Sequence, residues 1–487
     1  MSLTETERAR LLQALQRDAK RFGPELADTA YTRGLAVTNK DDGSTKPIPI
    51  TATPVIIDQA ELARRQALSE HLSSATLKMS RAVLANPKHE QLVLGGLSPL
   101  EKTFALAGFR ELHTLVTTRV DFFVGDRVRA LETNATIPAM QAYSDIAAET
   151  FLEVVGRTWG ANEATIAGWK QQNGSNARAL FEALHAGYAK VRPGQKPKRI
   201  ALLSRRHDAQ LTEQRSLMER FRAWGADADI VHPDQLSGTS TVDAHGKSYD
   251  LVYRHLFVRR LEETGMQGAE YVKALLAEKN GTRAVVLNPP ASQVEVKAVF
   301  ALLSQALDDA GLAKEAGLSD VELEAIRASV PWTRPFRGDA LTQQVANDPD
   351  RYVLKRSWDY GGRAVFVGRT RNEAGFSDRV KAAYGEALDW KALCDRAAAD
   401  PVGGGFVVQE IIDIKPEPHL LCSGQTQVPT DLYVDFSAYA SVGLDQQPRW
   451  GGVCRGSVSH IVNIVGGGGV IPLITTEVAR QLLALAK

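Results

Sequence analysis

Residues 119–138 read RVDFFVGDRVRALETNATIP. Two runs rich in β-formers flank Gly125-Asp126, a turn-forming pair, so the stretch is predicted to be a β-hairpin. Side chains alternate faces along a strand. Arg119 and Asp121 therefore share one face of the first strand, and Glu132 and Asn134 share one face of the second. Closing the hairpin gathers two carboxylates, a carboxamide and a guanidinium on one surface. Oxygen ligands of this kind suit Mg²⁺, which takes one or two carboxylates plus substrate phosphates. An arginine beside them suits a developing oxyanion. A solvated polar hairpin face would carry the same residues, so the rest of the chain has to separate the two readings.

Two further stretches bear on that choice. In YVLKRSWDYGGRAVFVG (352–368) a lysine, Lys355, ends an apolar strand and a glycine-containing turn follows. Gly361 and Gly362 let backbone amides approach phosphate oxygens, and Lys355 supplies a point charge. A hairpin turn with surface charges reads the same way. The stretch is not the GxxxxGK[ST] loop of P-loop enzymes. In FVVQEIID (406–413), Gln409 and Glu410 close a β run whose edge suits an adenine ring.

Taken together and in this order, the three stretches resemble the ATP-grasp carboxylate–amine ligases. The 119–138 hairpin is similar to that family's metal-binding hairpin, as in D-alanine–D-alanine ligases and eukaryotic-type glutathione synthetases. The 352–368 stretch resembles its glycine-rich phosphate loop, and VVQEII its adenine-side hinge strand. Because the Glu132-x-Asn134 hairpin precedes Lys355, the order resembles the circularly permuted branch that contains eukaryotic glutathione synthetase and related bacterial ligases.

The resemblance implies ATP and Mg²⁺ as cofactors and an amide- or peptide-bond-forming reaction through an acyl phosphate. It implies Asp121, Glu132, Asn134 and Asp359 as metal ligands, with Asp435 left outside that set. Lys297 and Lys355 would meet ATP phosphates with Gly361 and Gly362, and Gln409, Glu410 and Ile412 would line the adenine pocket. Arg119 would hold the substrate carboxyl and its tetrahedral intermediate. Arg455, Ser457, Asn463, Gly467 and Gly468, around the GGGG run at 466–469, would face the substrate. Arg254, after a predicted strand, is a further candidate for an anionic substrate. The loop departs from the family in its bulk, through Trp358, Tyr360 and Arg363. A fold that has lost catalysis, and a phosphotransferase that stops at phosphorylation, are the alternative functions.

The expected fold class is α/β with α+β character in the ATP-binding part. It comprises an N-terminal helical region (1–104), a first ATP-grasp segment with the metal hairpin (105–194), an inserted parallel α/β substrate-side domain (195–290), and a strand-rich second ATP-grasp segment (291–487). The insert is read from strand–helix–strand alternation with near-continuous apolar strands, KRIALLS, DADIVHP, YDLVYRHL and RAVVLN. Thr4 and Glu7 have capping-box spacing for a first helix. Formal charge is +1, from 58 basic and 57 acidic residues, which gives no global argument for nucleic acid or an anionic membrane. No apolar run reaches membrane-spanning length. The three cysteines form no CxxC pair, and the N-terminus carries charges throughout. A cytoplasmic enzyme of small-molecule or peptide carboxylates and amines, with dimerisation as the default assembly, is the expectation.

Overall fold

The computed structural model describes residues 3–87, 89–235, 247–263, 284–464 and 468–486. The first helix, α1 (Glu5–Thr32), starts on the Thr4–Glu7 capping box, with Thr4 Oγ1 accepting from the Glu7 amide at 3.2 Å. After short strands, β1 (Ile50–Thr51) is followed by α2 (Gln59–Ala85), capped by Asp58. Helix α3 (Pro99–Gly108) begins on a second capping box, Ser98–Glu101, with proline at its first turn. The predicted hairpin follows as β2 (Leu115–Val124) and β3 (Val128–Asn134). Helices α4 (Gln141–Thr158) and α5 (Asn176–Val191) lead to β4 (Arg199–Leu203), α6 (Leu211–Ala223), β5 (Asp227–Val231), β6 (Leu251–Arg254), α7 (Val258–Glu263) and β7 (Val285–Leu287). Then come α8 (Lys297–Gln305), β8 (Thr333–Phe336), β9 (Tyr352–Arg356), β10 (Val365–Val367) and β11 (Phe406–Glu410). The chain closes with β12 (Glu417–Ser423), β13 (Thr426–Val442), β14 (Gly452–Ser457) and β15 (Gly469–Ile471).

These strands make three principal sheets. A seven-stranded sheet runs β12-β1-β15-β14-β13-β2-β3. The long β13 pairs with β12 through its first half and with β2 and β14 through its second. A four-stranded sheet runs β7-β6-β4-β5 with every pairing parallel, and an antiparallel one runs β8-β11-β9-β10.

Alternation explains the large sheet. One face presents Val120, Phe122, Phe436, Ala438 and Cys454, buried with Leu72, Met79 and Val83 of α2 and Val299, Leu302 and Leu303 of α8. The residues between them point to the opposite, polar face. In the parallel sheet both faces are covered, which accounts for the near-continuous apolar runs of β4, β6 and β7. Ile200, Leu202 and Leu251 join the cluster built on α1, α4 and α5, while Ala201, Leu203 and Val252 pack with Leu100 and Phe104 of α3.

Two expectations change. The 1–104 stretch is mainly helix, yet β1 inserts into the large sheet beside β12 and β15. The 291–487 stretch also holds helices between its strands, such as Asp320–Ser329, which starts on the capping box Ser319–Glu322. Its polar caps were legible, but the glycine punctuation around them drew the reading toward strands.

Candidate functional site

The polar face of the large sheet is assembled by register. Arg119 lies opposite Asn134 and Asp121 opposite Glu132 in the β2–β3 hairpin. Across β2, Asp121 faces Ser437 and Arg119 faces Tyr439, and Asp435 faces Arg455 in β14. Leu131 is an extra residue in the hairpin, since the pairing jumps from Glu132 to Ala130. This bulge takes the Leu131 carbonyl out of the ladder, and it accepts a hydrogen bond from Lys355 Nζ at 3.1 Å. The antiparallel four-stranded sheet thus meets the hairpin through Lys355, whose Nζ also donates to Gln409 Oε1 at 2.7 Å.

Between these sheets opens a cleft that, with the solvent at its mouth, spans about 910 Å³. Of the residues expected from sequence, it is lined by Asp121, Glu132, Lys297, Lys355, Asp359, Gly361, Gly362, Gln409, Glu410, Ile412 and Arg455. These come from five separated stretches of chain. Its apolar lining is made by Val353, Val365, Val367, Ile411 and Ile412. Lys297 Nζ sits 3.3 Å from Glu132 Oε2 and donates to the Asp359 carbonyl at 2.7 Å, which ties the glycine loop to the hairpin.

Charge sets the protonation states. Desolvation in the cleft would raise Glu132, but Lys297 and Lys355 outweigh it and hold the carboxyl below its ordinary range. Burial pushes Lys355 down to about 8, with the Lys297 charge adding to the effect and Glu132 opposing it. Burial likewise raises Asp435 to about 6 against the pull of Arg455. Asp121 is buried too, yet Arg119 and Arg455 keep it ionised well below the carboxylate range.

Two expected residues, Asp121 and Arg119, are engaged by protein partners. Asp121 Oδ1 accepts from Arg119 Nε at 2.7 Å, and its Oδ2 accepts from Arg119 Nη2, Asn134 Nδ2 and Arg455 Nη2 at 3.1, 3.2 and 2.9 Å. That carboxylate is filled by donors and orders two arginines, where metal ligation was expected. Arg119 donates its remaining nitrogen, Nη1, to the Ala139 carbonyl at 2.8 Å, so its guanidinium is committed to protein. Of these two arginines, Arg455 reaches the cleft wall, held by Asp435 on its own sheet.

Other expected residues lie outside the cleft lining. Arg254 is fully buried and donates to the Asn288 and Pro289 carbonyls at 3.2 and 2.8 Å. Ser457 Oγ joins a turn with Ser459 and the Ile461 carbonyl. Asn463 Nδ2 donates to the Gly361 carbonyl at 2.9 Å, so it braces the glycine loop. Gly468 packs where a Cβ would stand 2.5 Å from the Gly456 carbonyl oxygen. Gly467 lies outside the described residues.

The sequence reading set Asp435 aside from the metal ligands, though it lines the cleft, and it missed His460, Ile461 and Val462. Alternation in YVDFSAYAS places Asp435 with Ser437 and Tyr439, but which neighbours share that face depends on register. β14 stops at Ser457 and the chain turns, so that His460 lines the cleft.

No protein-family model matches the chain, and no curated protein does. Among solved structures it is similar to a glutathione synthetase-like effector from Globodera pallida, determined in the apo form. The TM-score is 0.57 at 12% identity, over 94% of this chain and 97% of that one. The fold is glutathione synthetase-like. A proposed gamma-glutamylcysteine synthetase from Methylobacillus flagellatus KT aligns with a TM-score of 0.37 at 11% identity, over 85% of this chain and 96% of that one. Within this glutathione synthetase-like fold, no helix among the described residues is long and apolar enough to cross a membrane.

The cleft's donor set bears on a metal. Among the described residues, no group of three or more His, Cys, Asp or Glu side chains forms an all-protein cage. Two carboxylates, Glu132 and Asp359, with lysines beside them, fit instead an ion that shares its shell with phosphate oxygens.

Proposed function

We propose that this chain is an ATP- and Mg²⁺-dependent carboxylate–amine ligase of the circularly permuted ATP-grasp type, acting in the cytoplasm on small-molecule or peptide substrates. The observation that carries this reading is the convergence of Glu132, Lys297, Lys355, Asp359 and the Gly361-Gly362 turn on one cleft that also has an apolar lining.

In this reading Glu132, Asp359 and the Asn134 carboxamide hold the metal, and Lys297 and Lys355 meet the phosphates. Bound ATP supplies the phosphoryl group that activates the carboxylate, and Mg²⁺ neutralises charge on it. The Val353–Val367 and Ile411–Ile412 surfaces take the base. Arg455, ordered by Asp121 and Asp435, would stabilise the oxyanion formed when the amine attacks. Arg119 positions Asp121 and, through Ala139, the start of α4.

Glu132→Gln tests the assignment. Substrate-dependent ADP release is expected to fall by about two orders of magnitude or more while the fold is retained. Near-unaltered turnover in that variant would remove Glu132 from the metal set. The donor-filled Asp121 favours a second reading, a protein that binds nucleotide without turning it over. Magnesium-dependent ATP binding with no ADP release across a screen of amino acids, peptides and polyamines would support that reading.

A further inference from the structure

The glycine loop carries two large aromatics where close approach to phosphate asks for small residues, and both are gripped by the parallel α/β unit. Phe257, between β6 and α7, stacks on Tyr360 with ring centroids 4.4 Å apart and 21° between planes. The same ring meets Trp358 edge-on at 5.9 Å. Arg260 donates to the Tyr360 hydroxyl. Arg259 lies 4.9 Å over the Trp358 ring and pairs with Glu101 at 3.4 Å. Glu101, nearly fully buried in α3, accepts the Trp358 indole N–H at 3.1 Å.

On its other sides the loop is held by Lys297 at the Asp359 carbonyl and by Asn463 at the Gly361 carbonyl. Tyr360, Gly361 and Gly362 are themselves cleft residues. A stacked aromatic pair attracts beyond what its area burial supplies. Several such contacts on a five-residue turn are enough to decide where it rests.

We propose that the β6–α7 corner positions the phosphate loop, with Phe257 and Arg260 as positioning residues that set nucleotide affinity from outside the cleft. The proposal rests on the nucleotide reading of the cleft for its consequence, but the clamp itself stands on geometry alone. Bulk at Trp358 and Tyr360 then has a purpose. It gives the α/β unit something to hold, and the loop is preorganised without contact between that unit and the nucleotide.

Two measurements on the full-length protein separate the clamp from its consequence. The first is amide hydrogen exchange without nucleotide in Phe257→Leu and Arg260→Gln. Exchange across 358–363 is expected to rise about tenfold, with β7 amides unchanged. The second is binding of AMP-PNP with Mg²⁺, together with steady-state kinetics. Affinity and KM for ATP are expected to weaken about tenfold with kcat within twofold, and Phe257→Leu/Tyr360→Leu is expected to be no worse than the worse single variant. Unaltered loop exchange, or exchange that rises equally throughout the α/β unit, overturns the clamp. If the unaltered protein binds no AMP-PNP, the nucleotide reading falls while the exchange result still decides the clamp.

Discussion

Lys355 is nearly buried, and its ammonium donates to two neutral oxygens, those of Gln409 and Leu131. Burial and Lys297 together bring it down to about 8. In the nucleotide-free protein it is therefore charged at pH 7 and neutral above its pKa. Nucleotide affinity is expected to decline as pH rises through 8, approaching about tenfold per unit. Lys355→Arg should flatten that decline, because a guanidinium keeps its charge. Calorimetric titration with AMP-PNP between pH 7 and 9.5 measures both, and a flat profile in the unaltered protein would show that the lysine is not the titrating group. At this scale the sequence was informative about residue type and spacing. Glu132, Lys297, Lys355 and Asp359 were named from short motifs and lie in one cleft. Asp121 and Arg119 were named for the same reason, yet each is filled by the other. Motif spacing specifies which residues are near one another, not which atoms are already engaged.

The glycine loop and the hairpin are the elements on which the site depends. Gly362 has φ of 70°, and a Cβ there would stand 2.7 Å from Ile461 Cγ2. A left-handed conformation costs an L-residue about 1–2 kcal/mol. Gly362→Ala is expected to weaken AMP-PNP binding by about tenfold and to change the melting temperature little, since Gly362 itself is only half-buried at the cleft. Equal loss of melting temperature and affinity would assign the glycine to folding instead. The hairpin was legible because Gly125-Asp126 and the alternation on either side are local signals. The bulge at Leu131 was not legible. It inserts one residue into β3 and frees a carbonyl for Lys355, and only pairing with β2 reveals it. Helices between Asp309 and Ala399 were hidden for a related reason, since amphipathic patterns of seven to eleven residues yield to nearby glycines and strands in a local reading.

At the scale of the molecule, Glu213 joins the α/β unit to the central body. It belongs to α6 and accepts the Ala142 amide at the start of α4 at 3.1 Å. Burial raises it from 4.5 to about 7, with the α4 amides opposing. The folded state therefore holds a proton that the unfolded chain releases between those values. Stability from this group is full below pH 4.5 and is lost as pH rises to 7 and beyond, by up to about 3 kcal/mol. Glu213→Gln keeps the acceptor oxygen and removes the titration, so urea denaturation should show the variant more stable at pH 8 and nearly equal at pH 4.5. A variant less stable at both values would contradict the buried, protonated state.

The sequence by itself determined what local physics controls. It specified the capped first helix, the turn that makes the hairpin, the apolar strands of a parallel sheet, and the residue types that suit phosphate and metal. The tertiary structure decided what depends on register and on contact between distant segments. It set Arg455 against Asp121 and Asp435, placed Lys355 under the bulge, put His460 in the cleft, and locked Tyr360 against Phe257. Alternation along a strand says which residues share a face, but a neighbouring strand can slide by two residues and keep that pattern. Only the packed whole selects one register, because only there do the apolar face, the charge pairs and the loops have to fit at once.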